Sequence, residues 1–367
     1  MTSRSPLSAT ILRSPQARSD GPLRDCQDSR RSVPLTPTPS HTEARRRERH
    51  LLTHRVTLIP GDGIGPEVVE AARSVVDATG VEVRWDVEEI GLRAFERTGE
   101  VLPARAVSSI RENGVALKGP IETPEGAGIR SANLVLRKEL DLFANVRPCR
   151  WYPGVPSLYE DVDLVVIREN TEDVYTGVEF EVGTVEVKEL IAFIEETTGI
   201  RIRQDSGISV KAISQEGSER IVRFAFDETR RRGRSKVTAA HKANIMKFSD
   251  GLFLDVARRI AAQYPDVVFD DRIIDALCME LVQSPQRFDV LVLPNLYGDI
   301  VSELGAGLIG GPGVAPGVQL GDDVAVFEAT HGTAPPLAGR DQADPVGLML
   351  SAAMMVRHLG DLEAGDR

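Results

Sequence analysis

The chain has 367 residues, of which 41% are hydrophobic and 27% are charged, and its formal net charge is −11. This length allows two domains or one large one, and the composition is ordinary for a soluble globular protein. The negative charge argues against nucleic acid as a partner, because phosphate backbones bind basic surfaces.

Apolar runs and cysteines bear on location. No apolar run approaches the roughly 20 residues that a membrane-spanning helix needs, which excludes membrane insertion. The three cysteines, Cys26, Cys149 and Cys278, form neither a C-x-x-C pair nor a metal-ligand spacing. This favours a reducing compartment, and the predicted location is cytoplasmic.

The first 53 residues differ from the rest of the chain. They hold ten arginines, no lysine and five acidic residues, and they are rich in serine and proline. Such a segment cannot bury enough apolar surface to become ordered. We therefore predict that residues 1–53 are a disordered tail or extra residues translated from an upstream start codon. A mitochondrial transit peptide is the alternative, since such peptides are rich in arginine and serine. The acidic residues and the RRRER run argue against it.

The folded chain is predicted to begin with a strand, a glycine turn and a helix. VTLIP is apolar, GDGIG is the turn, and the helix opens at Pro66. This order invites comparison with a dinucleotide-binding Rossmann unit, but Gly61, Gly63 and Gly65 are spaced G-x-G-x-G. Glu67 would also repel a pyrophosphate at the helix start, so we reject a Rossmann site.

Further strands and helices alternate along the chain, as hydrophobic periodicity indicates. The predicted order is strand VEVRWDVEEIG, helix VLPARAVSSIRENG, strands VALKG, LDLFANVRP and DLVVIREN, amphipathic segment VKELIAFIEETTG, helix SQEGSERIVRFAFDETRRRG, the strand, loop and helix of KVTAAHKANIMKF, turn GGPGVAPG, strand DVAVFEATHGTAP and helix DPVGLMLSAAMMVRHLG. Ser214 is the predicted N-cap of the helix SQEGSERIVRFAFDETRRRG. The alternation predicts an α/β fold.

The segment 118–148 carries an unusual set of hydrogen-bond donors around a glycine-rich loop and a short predicted helix. They are Thr123, Arg130, Ser131, Asn133, Arg137 and Arg147. Ser131 and Arg137 share one helix face, and Asn133 lies beside them. Arginine binds carboxylates through two parallel hydrogen bonds, so the segment predicts a site for a small polycarboxylate. A solvated basic helix is the alternative that composition alone favours.

Acidic residues near the end of the chain suggest a metal site. Asp275 lies on a predicted helix, and Asp299 and Glu303 are spaced i, i+4, which places both on one side of another helix. Two carboxylates that project together repel unless a cation lies between them, and Mg²⁺ or Mn²⁺ takes oxygen ligands. The alternative is an acidic turn that is stabilised by the helix dipole.

These motifs together resemble the isocitrate/isopropylmalate dehydrogenase family, from about Arg55 to the C-terminus. The S-x-N-x-x-x-R spacing is the isocitrate version, and the resemblance is closest to NAD-dependent isocitrate dehydrogenase. It implies an α/β fold with a discontinuous large domain, a small domain and a clasp that interlocks two subunits. The implied ranges are 54–143 and 310–367 for the large domain, 144–172 and 214–309 for the small domain, and 173–213 for the clasp. The family usually continues beyond Arg367, so a truncated large domain is expected.

The resemblance also implies the roles of single residues. In RENTEDVYTG, Tyr175 matches the catalytic tyrosine, although a lone tyrosine is more often a packing residue. In HKANIMK, Lys242 matches the catalytic lysine, against the alternative of a surface lysine. The implied substrate-binding residues are Thr123, Ser131, Asn133, Arg137, Arg147 and Arg168.

Metal and cofactor residues follow from the same resemblance. Asp275 and Asp299 match metal ligands, whereas Glu303 replaces the usual aspartate, which allows a water-mediated role. Pro336 and Leu337 stand where NADP-dependent enzymes carry a lysine and a tyrosine, and the absence of a cation there favours NAD. The implied cofactor-binding residues are Ile64, His331, Gly332, Thr333, Ala334 and Asp344.

The predicted function is metal-dependent oxidative decarboxylation of isocitrate to 2-oxoglutarate with reduction of NAD. The resemblance implies a homodimer with shared active sites, in which Lys242 and Asp275 come from the partner subunit. 3-Isopropylmalate and homoisocitrate are alternative substrates. A substrate with an apolar side chain in place of the third carboxylate would suit a leucine at position 131 better than the hydroxyl of Ser131. From a different class, a non-catalytic regulatory subunit of a hetero-oligomeric enzyme is the alternative that Glu303 and Pro336 leave open.

Overall fold

A computed structural model describes residues 53–122 and 131–367 of the chain. Apart from residue 53, the predicted tail lies outside the described residues, and so does Thr123 of the predicted substrate loop. The strands are β1 (His54–Ile59), β2 (Val83–Val87), β3 (Val115–Lys118), β4 (Ala144–Arg150), β5 (Asp163–Glu169), β6 (Glu179–Phe180), β7 (Ile208–Ser209), β8 (Lys236–His241), β9 (Val268–Ile273), β10 (Val290–Leu293), β11 (Pro316–Leu320) and β12 (Ala325–Ala329).

Helices alternate with these strands along the chain. They are α1 (Gly65–Ala78), α2 (Leu92–Thr98), α3 (Ala104–Asn113), α4 (Ala132–Glu139), α5 (Val185–Thr198), α6 (Gln215–Arg231), α7 (Asp250–Ala261), α8 (Ile274–Gln283), α9 (Asn295–Leu308), α10 (Val346–His358) and α11 (Leu362–Asp366). A 3-10 turn spans Asp173–Thr176. In the part of the chain that the structure describes, no helix is long and apolar enough to cross a bilayer.

Ten strands form one mixed sheet in the order β2-β1-β3-β12-β11-β4-β5-β10-β8-β9. The pairs at both ends of this order are parallel, whereas β11 is antiparallel to β12 and β4, and β4 is antiparallel to β5. The antiparallel strands at the centre therefore join two parallel groups that run in opposite directions.

Both faces of the sheet are covered, as a strand near its centre shows. On β5, Val165 and Ile167 belong to a core cluster that includes residues of α1, α6, α7 and α10. Leu164 and Val166, which point to the opposite face, belong to a second cluster with α8 and α9. Side chains buried on both faces explain why LVVI, over 164–167, reads as a continuous apolar run. This is the α/β arrangement that the sequence predicts.

The residues at helix ends follow the local rules of the sequence. The Oγ of Ser214 accepts a hydrogen bond from the backbone N–H of Gly217 at 2.9 Å, which confirms the predicted N-cap of α6. Helix α3 ends at Gly114, whose φ of 68° lies in the left-handed region. Because such a backbone strains residues with a Cβ, glycine ends this helix and directs the chain into β3.

Two elements differ from the prediction. The predicted turn GGPGVAPG is wrong at its end, because Pro316 and Gly317 already belong to β11, a strand near the centre of the sheet. Proline fits there since it is the first residue of the strand. Helix α2 was not predicted, because its seven residues are largely polar. The predicted domain ranges stay a prediction; within 173–213, β6 pairs with β7 in a separate two-stranded sheet.

Asp62 is a buried residue that joins the first glycine turn to two other segments. Its side chain accepts hydrogen bonds from three backbone amides, those of Leu92, Arg93 and Glu122. In Asp62→Ala these amides lose their acceptor, so we expect the free energy of unfolding to fall by about 2–4 kcal/mol. Urea denaturation measures this. Glu70→Ala, which removes only an exposed ion pair, should change little, and equal losses in both variants would contradict the assignment.

Candidate active site

Arg168, near the end of β5, is a buried charge at the centre of the site. It is 1% exposed, and Asn295 Oδ1 accepts hydrogen bonds from its Nε at 2.9 Å and its Nη2 at 2.7 Å. Its Nη1 forms a close ion pair with Asp299. Both partners lie on α9, and this helix approaches closely because a Cβ on Gly298 would lie 2.5 Å from Cγ of Arg168.

Arg147, on β4, contacts the same helix. Its Nη1 donates to Ser302 Oγ at 2.5 Å and lies 3.4 Å from Glu303 Oε1 and 3.6 Å from Asp299 Oδ1. Asp299 and Glu303, which their spacing predicts on one helix face, therefore do share a face. That face is turned toward the two arginines.

Tyr175 completes this cluster from the 3-10 turn. Its hydroxyl donates to Asp299 Oδ2 at 2.5 Å, and the Arg168 guanidinium lies 4.8 Å from its ring centroid. Burial raises the pKa of Tyr175, and the hydrogen bond to Asp299 raises it further. The phenol is therefore protonated at neutral pH.

The neighbouring charges keep their ionised forms. Burial raises the pKa of Asp299, but the charge of Arg168, the hydrogen bond from Tyr175 and the charge of Arg147 together bring it below its ordinary value. Burial lowers the pKa of Arg168 to about 10, which still leaves this guanidinium cationic at neutral pH. The cluster thus combines a neutral acid, a carboxylate and two cations.

Arg137, on α4, is buried and belongs to a second polar network. Its Nε donates to Oε1 of Gln319 at 2.7 Å, and Nε2 of Gln319 donates to Glu328 at 2.6 Å. Lys118, which is 1% exposed, forms an ion pair with Glu328 at 2.6 Å. Because Glu328 precedes the predicted NAD loop on β12, this network connects that loop to the predicted substrate arginine.

The other predicted substrate residues near α4 are partly described. Ser131 occupies the N-cap position of α4 but makes no side-chain capping hydrogen bond there. Oδ1 of Asn133 is buried and has no hydrogen-bond partner within the described residues. Thr123 lies outside those residues.

Lys242 and Asp275 form a separate pair. Lys242 follows directly on β8, Asp275 lies in the first turn of α8, and the two side chains form a close ion pair. The hydrogen bond from Lys242 lowers the pKa of Asp275. The Asp275 side chain is 69% exposed, so this pair faces outward from the chain.

A metal site in one chain would need the three predicted acidic ligands to converge. Over residues 53–122 and 131–367, no group of three or more His, Cys, Asp or Glu side chains is placed to hold a metal ion. Asp299 and Glu303 offer oxygen donors from one helix face, whereas Asp275 pairs with Lys242. The described part of one chain thus places two of the three predicted ligands on one helix face and the third elsewhere.

The two loops predicted to bind NAD pack against each other. The backbone N–H of Ile64 donates to the Thr333 carbonyl at 2.9 Å. A Cβ on Gly63, whose φ is +57°, would lie 2.0 Å from the same carbonyl oxygen, so only glycine permits this approach. Ala334 has a left-handed φ of 38°. The structure therefore brings Ile64, Thr333 and Ala334 to one place.

The remaining predicted cofactor residues flank these loops. Nε2 of His331 is buried without a partner in the described part of the chain, and its Nδ1 lies 3.1 Å from the Gly332 carbonyl oxygen. The exposed Asp344 side chain accepts from the backbone N–H of Val346 at 3.0 Å, at the start of α10. This contact gives Asp344 a local structural role.

Glu67 has a role that the sequence did not predict. Its carboxylate accepts hydrogen bonds from the backbone amides of Gly339 and Asp341. These hydrogen bonds hold the segment around Gly339 and Asp341, which follows the predicted NAD loop, against the start of α1.

Comparison with known proteins agrees with this arrangement. The family model for isocitrate/isopropylmalate dehydrogenase matches residues 55–367. A Drosophila melanogaster protein named probable isocitrate dehydrogenase [NAD] subunit alpha, mitochondrial, is 44% identical over 89% of this chain and 82% of its own length. A chloroplastic 3-isopropylmalate dehydrogenase from Solanum tuberosum is 45% identical over 85% of this chain and 82% of its own.

A solved structure is similar as well. The crystal structure of isocitrate dehydrogenase from Methylococcus capsulatus superposes with a TM-score of 0.79 at 47% identity, covering 86% of this chain and 88% of that one. The chain belongs to the isocitrate/isopropylmalate dehydrogenase family. This membership confirms the resemblance and the fold class that the sequence predicts.

Several residues of this isocitrate/isopropylmalate dehydrogenase site were not found from the sequence, among them Asn295, Gln319 and Glu328. Asn295 lies one helical turn before Asp299, so the i, i+4 spacing that identified Glu303 could have found it. Gln319 accepts a hydrogen bond from Arg137 across 182 positions of the chain and donates in turn to Glu328. No local pattern signals such contacts.

Gly298→Ala tests whether α9 sets the position of Arg168. The added Cβ would lie 2.5 Å from Cγ of Arg168, so the helix or the arginine must move. We expect KM for an acidic substrate to rise about 10-fold or more, and the free energy of unfolding to fall by about 1–3 kcal/mol. Steady-state kinetics and urea denaturation measure the two effects.

Gly307→Ala is the matched control on the same helix. No neighbouring atom of the described chain lies within 4 Å of a Cβ added there. This variant should keep its KM and gain up to about 1 kcal/mol of stability. If KM rises equally in both variants, the Gly298 contact does not control the substrate arginine.

Proposed function

We propose that this protein catalyses metal-dependent oxidative decarboxylation of isocitrate to 2-oxoglutarate with reduction of NAD. The observation that carries the proposal is the cluster of Arg147, Arg168, Tyr175 and Asp299, which combines carboxylate-binding cations with a neutral acid. The names of NAD-dependent isocitrate dehydrogenase relatives support it.

The arginines account for binding of a polycarboxylate. Arg137, Arg147 and Arg168 are all nearly buried, and their guanidinium groups offer paired donors to substrate carboxylates. Ser131 at the start of α4 adds a hydroxyl, and Oδ1 of Asn133, which has no partner within the described residues, can accept a hydrogen bond from the substrate hydroxyl. Such a site suits a substrate with three carboxylates and one hydroxyl. Thr123 remains a predicted substrate residue outside the described part of the chain.

The reaction needs a hydride transfer and two proton transfers. Bound NAD would supply the hydride acceptor for the C2 hydrogen, and the Lys242–Asp275 pair would accept the hydroxyl proton. The C–C bond to the β-carboxylate then breaks, releasing CO₂ and leaving an enolate. Tyr175, protonated because burial raises its pKa, donates its proton to the enolate carbon and regains one from solvent.

A divalent cation has a defined place in this proposal. Asp299 and Glu303 of one chain, with Asp275 of a second copy, would supply its oxygen ligands, with Mg²⁺ or Mn²⁺ as the expected ion. When bound, the cation supplies Lewis acidity for the hydroxyl, the ketone and the enolate.

NAD is the proposed cofactor. The packed loops of Ile64 and Thr333 suit a dinucleotide. So does Nε2 of His331, which is buried and has no partner among residues 53–122 and 131–367. Pro336 and Leu337 offer no cation for a 2′-phosphate. His331, Gly332, Thr333, Ala334 and Asp344 keep their proposed contacts with NAD.

A homodimer with shared active sites is the proposed assembly. Exposed apolar side chains lie on the segments that carry Lys242, Asp275 and Asp299: they are Ile245, Phe248, Met279, Val282 and Ile300. A second copy would bury these side chains, which are costly in water. It would also bring Lys242 and Asp275 of the partner subunit to Asp299 and Glu303. The Drosophila melanogaster relative is named a subunit, so assembly with a different chain is the alternative.

The cellular location stays a prediction. The cysteine pattern favours the cytoplasm, whereas the Drosophila melanogaster relative carries the word mitochondrial in its name. Fractionation of cells that express the full chain distinguishes the two.

NADH absorbance in initial-rate assays tests the function directly. The full chain with Mn²⁺ should turn over isocitrate with NAD at least about 10-fold better than 3-isopropylmalate, because the apolar side chain of 3-isopropylmalate offers no partner to the polar groups that would bind the third carboxylate of isocitrate. EDTA should abolish the rate. Preference for 3-isopropylmalate would favour the function named for the Solanum tuberosum relative. If a folded protein turns over neither acid, the result would favour a non-catalytic regulatory subunit.

Tyr175→Phe should lower kcat by about 100-fold or more while leaving the dissociation constant of isocitrate within a few-fold, because only the proton donor is lost. Kinetics and calorimetry measure the two quantities. Tyr152→Phe, at a tyrosine outside the cluster, is the control. Full activity of Tyr175→Phe would contradict the assigned role.

Tyr175→Phe also tests whether the active site is shared between subunits. Coexpressed with Lys242→Met, it should regain about a quarter of wild-type activity, because half of the dimers would be mixed and each mixed dimer would hold one complete site of two. Activity no higher than that of either variant alone would contradict a shared site.

A further inference from the structure

A buried ion cluster outside the substrate cluster is centred on Lys211. Its Nζ lies 2.7 Å from Asp250 Oδ1 and 4.0 Å from Asp173 Oδ1, and both carboxylates are fully buried. The ammonium also lies 4.4 Å from the ring centroid of Tyr297. In the part of the chain that the structure describes, no other lysine or arginine pairs with these two carboxylates. Lys211 is therefore the cation that offsets both.

Asp173 connects this cluster to Tyr175. It begins the 3-10 turn that carries Tyr175, and its φ of 68° is a left-handed value that costs free energy for a residue with a Cβ. Its carboxylate accepts from the backbone N–H of Val174 at 2.9 Å and of Leu296 at 3.0 Å. It thereby fixes the Tyr175 turn to the first turn of α9, the helix of Asp299.

Asp250 connects the same cluster to Lys242. Its Oδ2 accepts from the backbone N–H of Lys242 at 2.7 Å, just after β8 ends. Since Asp250 also opens α7, the carboxylate holds the Lys242 backbone against the start of that helix. One ammonium thus lies between the carboxylates that hold the two segments.

We propose that Lys211 is a positioning residue that sets the backbone of both proton-transfer groups, Tyr175 and Lys242. The inference rests on the proposed function for the roles of these two groups. It does not rest on that function for their positions.

Loss of the Lys211 ammonium would leave Asp173 and Asp250 without a positive charge between them. Two buried carboxylates within 4.0 Å of one site cannot both stay ionised without it. Either one takes up a proton or the segments move apart to reach water. In both cases the amides of Val174, Leu296 and Lys242 lose part of their acceptor strength. In the described part of the chain, Arg147 and Arg168 form no ion pair with Asp173 or Asp250, so we expect substrate binding to change much less than turnover.

Lys211→Met in the full chain is the test. We expect kcat for isocitrate to fall about 10- to 100-fold, with KM for isocitrate and NAD changed by less than about threefold. Hydrogen-exchange mass spectrometry should show about 10-fold faster exchange in the peptides that contain Val174, Leu296 and Lys242. These peptides report position whether or not the protein turns over isocitrate.

Lys236→Met is the matched control. Lys236 pairs with Asp270 at 3.0 Å and lies 5.8 Å from the Phe288 ring centroid, but its partners hold neither Tyr175 nor Lys242. It should leave kcat and the exchange of those three peptides unchanged. If Lys211→Met behaves like Lys236→Met in both measurements, the proposal is overturned.

A charge-compensated variant separates position from general destabilisation. Lys211→Met/Asp250→Asn removes the cation and one carboxylate, and the amide oxygen of asparagine can still accept from Lys242. It should recover kcat and exchange protection relative to Lys211→Met, and no recovery would overturn the proposal. If Lys211→Met does not fold, Lys211→Arg and the double variant decide by the same two measurements. Absence of turnover in the wild type would refute the proposed function, and exchange alone would then decide the role of Lys211.

Discussion

The buried guanidinium of Arg168 is the constraint on which the site depends. A cation with 1% exposure is costly to bury unless its hydrogen-bond donors and its charge are both satisfied. Asn295 satisfies two donors and Asp299 the charge, so α9 must lie directly against β5. Gly298 makes that approach possible. The positions of Asp299 and Glu303 on the helix, and of the acceptor for Tyr175, follow from this one contact.

The second network balances charge in the same way. Burial raises the pKa of Glu328, but the charges of Lys118 and Arg137 bring it below its ordinary value. Gln319 is fully buried and accepts from Arg137 while donating to Glu328, so its amide orientation is determined by both neighbours. These hydrogen bonds therefore hold α4, β11 and β12, which carry Arg137, Gln319 and Glu328, at fixed distances from one another. An acidic chain thus contains a local excess of cations suited to an anionic metabolite.

Much of this structure could be predicted, because many signals are local. The apolar run of β5, the Ser214 cap and the i, i+4 pair of Asp299 and Glu303 depend on residues that are close in sequence. Helix α2 and strand β11 could not, since one is short and polar and the other begins with Pro316 and Gly317. Contacts such as Gln319 with Arg137 arise only when distant strands meet. The domain ranges and the individual site roles stay predictions.

The Lys211 cluster gives the proposed dimer a physical link between its sites. Tyr175 would act in the site of its own chain, whereas Lys242 would act in the site of the partner. Within one chain both are held by carboxylates that share one ammonium. A shift of the Tyr175 turn that weakens the contact of Asp173 with Lys211 changes the charge balance at Asp250, which holds Lys242.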